Sequence, residues 1–121
     1  MRVIVCGGRD YHDSERVWRV LDGIHARECI HVVGHGAARG ADSLAGAWAR
    51  ERGVMEFARP AQWTEYGRAA GPRRNSELLR EVKPALVVVF PGGAGTADMR
   101  RKAQRQRGVK VVTVAESGGS S

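Results

Sequence analysis

The chain has no apolar run near the roughly 20 residues a membrane-crossing helix needs. Its opening residues, "RVIVCGG", have none of the charged, apolar and small-residue zones of a secretory leader. A cytoplasmic protein with no membrane partner is expected. Cysteine is limited to Cys6 and Cys29. Neither has a partner at metal-finger spacing, and two cysteines make no disulfide framework, so both read as small buried thiols. His12, His25 and His31 show no metal spacing either, and the expectation is no metal and no cofactor. Lysine is scarce, three residues against 17 arginines. There is no internal repeat, and 121 residues suffice for one core but not two. Both common glycine signatures are missing as well. A P-loop requires lysine between its last glycine and the threonine, whereas Thr96 follows Gly95 directly. A dinucleotide fingerprint would follow the first strand, and "GGRDYH" does not match it.

What the chain does have is positive charge, +7 overall. An arginine-rich surplus suits anionic partners such as nucleotides, phosphorylated metabolites or nucleic acid. It also suits a plain solvated surface. Apolar runs alternate with helical patterns. Strands are expected at 2–6, 30–34, 54–58, 85–90 and 109–114, and helices at 14–27, 42–52, 73–82 and 96–107. Asp13 or Ser14 is placed to cap the first helix and Asp42 the second. The run "ALVVVF" is continuous, as expected of a strand covered on both faces. Trp18 and Trp48, mid-helix among apolar neighbours, read as core.

The alternation predicts an α/β fold, a single Rossmann-like three-layer domain over residues 1–115. Its mainly parallel five-stranded sheet would run in the order 3-2-1-4-5 with helices on both faces. Residues 116–121, "ESGGSS", read as a disordered tail.

Glycine is distributed unevenly over this plan. In a parallel sheet every strand-to-helix loop emerges at one edge. Three of those loops are glycine-rich: "GGRDYHD", "GHGAARGAD" and "PGGAGT". The opposite edge has only Gly53 and Gly108, ordinary helix stops. Turn geometry alone would enrich both edges, whereas a ligand beyond the carboxyl ends of the strands enriches one. Gly92, Gly93 and Gly95 let backbone N–H groups approach a ligand, and the helix starting near Thr96 adds unpaired donors and partial positive charge. Phosphate is the group this favours.

The candidate ligand-binding residues are therefore Gly7, Gly8, Arg9, His35, Gly36, Arg39, Gly40, Arg73, Asn75, Pro91, Gly92, Gly93, Gly95 and Thr96. Arg74, Asp98, Asp10 and Asp42 are the candidate catalytic groups. Trp63 and Tyr66 lie in a long connection of the kind that forms lids, and are placed either to stack on a base or to pack against the sheet edge.

The segments "GGRDY", "HGAARGAD", "YGRAAGPRRN" and "FPGGAGTADM", in this order, resemble the YspA-like branch of the SLOG superfamily. The resemblance covers residues 2 to about 114. It extends to the Lonely Guy phosphoribohydrolases, the lysine-decarboxylase-like proteins and the DNA-processing protein DprA. It implies a Rossmann-like fold, a nucleotide pocket at the "PGG" loop and a homodimer. The phosphoribohydrolase motif, PGGxGTxxE, is matched at Pro91, Gly92, Gly93, Gly95 and Thr96, with Arg74 as the counterpart of an upstream arginine. The glutamate position holds Met99. Asp98 is one residue earlier, about 100° around a helix and a methylene shorter, so it is no simple replacement.

Three functions follow as expectations. The first is a sensor or carrier of a nucleotide or ADP-ribose-like ligand. The second is a hydrolase of the N-glycosidic bond of a nucleoside monophosphate, which requires a carboxylate beside the ribose. The third is nucleic-acid binding in the manner of DprA, which requires the surplus charge on one face.

Overall fold

The computed structural model describes residues 1–115, and the tail expected at 116–121 lies outside the described residues. Strands β1 (Arg2–Cys6), β2 (Val32–His35), β3 (Met55–Ala58), β4 (Leu86–Val89) and β5 (Lys110–Thr113) form one all-parallel sheet in the order β3-β2-β1-β4-β5. The crossovers contain α1 (Ser14–Arg27), α2 (Ala41–Glu51), α3 (Trp63–Tyr66), α4 (Ala70–Val82) and α5 (Ala94–Gln104), with a 3₁₀ turn at Gly67–Ala69.

Period-two alternation along the strands sorts their side chains into two cores. Val3, Val5, Val33, Leu86 and Val88 face α1 and α2, meeting Val17, Leu21, Ala45 and Trp48. Ile4, Cys6, Val87 and Val89 face the other way, onto Leu78, Leu79 and Val82 of α4 and Met99 and Ala103 of α5. Helices thus cover both faces, and β1 from Val3 to Cys6 and the whole of β4 are apolar because neither face meets water. Trp48 is fully buried. Its indole N–H donates to Asp22 Oδ1 at 2.8 Å, the acceptor a buried indole requires.

The helix ends depart from expectation in instructive ways. Asp13 caps α1 as expected, accepting from Arg16 N at 3.1 Å. Asp42 does not cap α2. That helix starts at Ala41, after Gly40, and the Asp42 carboxylate turns back to the preceding loop. Pro72 lies inside the first turn of α4 instead of bounding it. A proline is tolerated there because first-turn N–H groups have no intrahelical acceptor. The last long helix starts at Ala94 with Gly93 as N-cap, so Thr96 sits within its first turn and is not the cap.

Candidate functional site

The loops after β1, β2 and β4 meet at the carboxyl edge of the sheet, with Gly8 at their joint. Its N–H donates to Pro91 O at 2.8 Å, and its carbonyl accepts from Ala41 N at 3.3 Å and Tyr11 N at 3.2 Å. Side chains would prevent this approach. A Cβ on Gly40 would lie 2.7 Å from the Arg9 carbonyl, and one on Gly92 would lie 2.7 Å from Gly8 N. A Cβ on Gly7 would lie 2.5 Å from the Ala41 Cβ. Gly7, Gly8, Gly40 and Gly92 therefore let the loops touch one another.

Gly93 and Gly95 differ. A Cβ at either would meet nothing within 4 Å. Their backbone faces open space at the start of α5, where no side chain caps the first-turn N–H groups.

Beside that helix start, on the α4 side of the β1/β4 switch point, lies a cleft of about 510 Å³. This is within the usual size of small-molecule sites. The loop after β1 contributes Gly8 and Arg9, the loop after β2 contributes Gly36 and Ala38, and α2 contributes Asp42. Trp63, Arg68, Arg74 and Asn75 line it from the segment around α3 and α4, and Gly93, Gly95 and Thr96 from the start of α5. Val5, Cys6, Leu78 and Met99 form an apolar floor.

A chain of hydrogen bonds runs between these walls. Asp42 Oδ2 accepts from Gly36 N at 3.1 Å and Ala38 N at 3.2 Å. The Gly36 carbonyl accepts from Arg74 Nη1 at 2.6 Å. Arg74 Nε donates to Asn75 Oδ1 at 2.9 Å, and Asn75 Nδ2 donates to Gly95 O at 3.1 Å and Asp98 Oδ2 at 3.0 Å. The network links α2, α4 and α5 around the cleft.

Charge in the cleft is shaped by burial. Burial raises the Asp42 carboxyl above its ordinary value, opposed by the Ala38 N–H, by the neighbouring His35 and Arg74, and by the Gly36 N–H. Burial also lowers the Arg74 pKa, while Asp42 pulls it back up. The Cys6 thiol is pushed up to about 12 by burial, so it behaves as an apolar group, whereas Cys29, expected to be buried as well, is exposed.

The structure brings most of the expected site residues together and sends others elsewhere. Gly7, Gly8, Arg9, Gly36, Arg74, Asn75, Gly93, Gly95, Thr96 and Asp42 line the cleft. Arg39 lines an adjoining cleft of about 360 Å³, which shares Arg9, Trp63 and Arg74. Pro91 and Gly92 face a different hollow, of about 270 Å³, toward Arg100 and Thr113. Gly40 lies under Gly8. His35 is buried away from these clefts. Its Nδ1 accepts from Ala37 N at 3.0 Å, which leaves Nε2 as the donor to Glu56 Oε2 at 2.6 Å. Arg73 lies over the Tyr66 ring, 4.2 Å from its centroid, outside the cleft lining.

Asp10 is exposed and does not line the cleft. Asp98 is occupied by Asn75, by Lys102 at 3.0 Å and by Arg101 at 3.3 Å. Burial pushes its pKa up, but the Asn75 and Lys102 hydrogen bonds outweigh that and hold the carboxyl below the ordinary range. Lining residues not anticipated include Cys6, Ala38, Arg68 and Gly71. The arginine within "YGRAAG" was the available signal for Arg68.

Among the described residues, no group of three or more His, Cys, Asp or Glu could hold a metal ion. No helix among them is long and apolar enough to cross a membrane.

Comparison with known proteins adds two findings. A family model described as "YspA, cpYpsA-related SLOG family" matches residues 1–66. The "Gene 61 protein" of Mycobacterium phage D29 is similar, 36% identical over an alignment of 123 positions that covers 95% of this chain and 97% of that protein.

Proposed function

Since the chain belongs to the YspA, cpYpsA-related SLOG family, we propose that it binds a nucleotide or nucleotide-derived, ADP-ribose-like phosphorylated ligand, as a sensor or carrier. The observation that carries this reading is the start of α5. Its uncapped first turn, flanked by the unobstructed Gly93 and Gly95, opens into the same cleft as Arg9, Arg68 and Arg74. First-turn N–H groups and the helix dipole favour an anion there by up to about 2 kcal/mol. Each arginine–phosphate hydrogen bond contributes roughly 1.5–3 kcal/mol. Arg74 keeps donors for this purpose, because only Nε and one Nη1 proton are used within the protein.

Thermal melts with ADP-ribose and a panel of nucleoside monophosphates test the proposal. A ligand at a hundred times its Kd adds about 2.7 kcal/mol, enough for a rise of several degrees. Gly93→Asp should abolish the rise by placing a carboxylate where the phosphate sits. The site has room for that side chain, so the fold should survive. No shift with any nucleotide refutes the reading.

One observation favours a second reading, hydrolysis of the N-glycosidic bond. Asp42 is a buried carboxylate with a raised pKa that lines the cleft, the type of group that activates water or steadies developing ribose charge.

A further inference from the structure

Trp63 has 47% of its surface exposed. Met55 and Val112, the other exposed large hydrophobics among the described residues, lie on the edge strands β3 and β5. Trp63 instead opens α3, the single turn over the cleft mouth, and forms a wall common to the 510 Å³ and 360 Å³ clefts. Two neighbours fix the ring. Gly71 lies at its edge, where a Cβ would come 3.3 Å from the indole Cη2 and 4.0 Å from Cζ3. The Arg9 guanidinium covers the ring at 5.3 Å from its centroid. Tyr66, the other aromatic of this segment, is covered by Arg73 and lines neither cleft. One aromatic plane is thus presented to the clefts, in the larger of which it shares the lining with the phosphate-favouring start of α5.

We propose that Trp63 is the platform on which the ligand's aromatic base stacks, so that the cleft selects nucleotides over base-free sugar phosphates. This rests on the nucleotide reading above and adds the part of the ligand that reading leaves open. Arg9 covers one face of the indole, and the base takes the other. An exposed indole loses contact with water when a planar base covers it, and the gain is tolerant of base identity because every base has a flat face. The cleft then discriminates strongly for the presence of a base and weakly among bases.

Calorimetric titration with AMP and with ribose 5-phosphate tests this. The wild-type protein should bind AMP more tightly than ribose 5-phosphate. Trp63→Ala should weaken AMP by on the order of 10- to 100-fold and leave ribose 5-phosphate unchanged, while Trp63→Phe keeps most of the AMP affinity. If Trp63→Ala weakens both ligands equally, or neither, the stacking proposal is overturned while the nucleotide reading stands. If neither compound binds the wild-type protein, the stacking proposal is overturned, and the nucleotide reading is decided by the melting panel. The substituted side chain is half in solvent, so the variant should fold, and its far-ultraviolet spectrum should match the wild type.

Discussion

Replacing Gly40 by alanine should measure what the meeting of the loops contributes. Gly40 has φ +76, and a Cβ there would lie 2.7 Å from both the carbonyl carbon and the oxygen of Arg9. At φ +76 and ψ −130 the backbone is in a region open essentially to glycine alone, which costs alanine about 1–3 kcal/mol. Forcing a methyl against backbone that must move costs a further 1–3 kcal/mol or so. The total of about 2–6 kcal/mol is a large part of the roughly 5–15 kcal/mol that usually stabilises a domain. Gly53→Ala is the control. Its φ is +69, but a Cβ there meets nothing within 4 Å, so only a backbone cost of about 1–2 kcal/mol remains. At about 4 °C per kcal/mol, the melting temperature should fall by about 8–24 °C for Gly40→Ala and about 4–8 °C for Gly53→Ala. Urea unfolding should give the same ordering with unchanged m-values. Gly40→Ala should also weaken AMP, because the displaced backbone carries Gly8 and Arg9 to the cleft, while Gly53→Ala leaves binding intact. Equal destabilisation by the two variants would show that the loops do not rely on backbone contact, and the assignment of Gly40 to their joint would be wrong.

Gly95→Ala should separate stability from binding. The residue lies in α5 with open space at its Cβ, so alanine should stabilise by roughly 0.5–1 kcal/mol in urea unfolding yet lower AMP affinity by crowding the phosphate. Higher stability with unchanged affinity would remove Gly95 from the ligand site. Asp42→Asn should alter the pH dependence of stability. Burial raises Asp42 above its ordinary 3.8, so the folded state holds the proton more tightly than the unfolded chain. Its stability contribution then declines as pH rises from the unfolded value through the raised folded one. Asparagine retains an acceptor for the Gly36 and Ala38 N–H groups and removes the decline. The variant should therefore gain on the wild type as pH rises from about 4, and a constant difference would contradict the assignment. The same variant should abolish any release of free base from nucleoside monophosphates.

The strand order was legible because each crossover leaves a plain mark, an apolar run followed by a helical pattern. Val17, Leu21 and Ile24 gave α1 its bounds without residual error. The position of the cleft was legible from glycine on one edge. The purpose of each glycine was not. Gly92 and Gly93 are adjacent in sequence, yet one is closed against Gly8 and Thr96 and the other opens to solvent. Only the path of a loop 80 residues away decides that. His35 and Asn75 read as ligand groups because they sit at the right edge. Their partners, Glu56 for one and Gly95 and Asp98 for the other, are remote in the chain, and these partners use their polar atoms. Edge position predicts proximity to a site. Free valence for a ligand depends on tertiary neighbours.

The distribution of carboxylates constrains what chemistry the cleft can perform. In the phosphoribohydrolase motif the acid is carried on the helix after the glycine loop. Here that position is Met99, 1% exposed and packed among the apolar residues beneath the sheet. The neighbouring Asp98 is engaged by Asn75, Lys102 and Arg101 and does not line the cleft. Among the described residues, Asp42 is the one acidic group that does, and it projects from α2, across the switch point from α5. Any cleavage would have to be driven from the wall opposite the one the motif uses. Asp42 Oδ2 already holds two loop N–H groups, so only its other oxygen is left to meet a ribose hydroxyl or a water. A carboxylate tethered in this way orients a diol without further cost, whereas activating water also requires room for that water between Asp42 and the sugar. Binding needs fewer conditions than turnover, and that difference favours the proposed sensor or carrier role over the hydrolase.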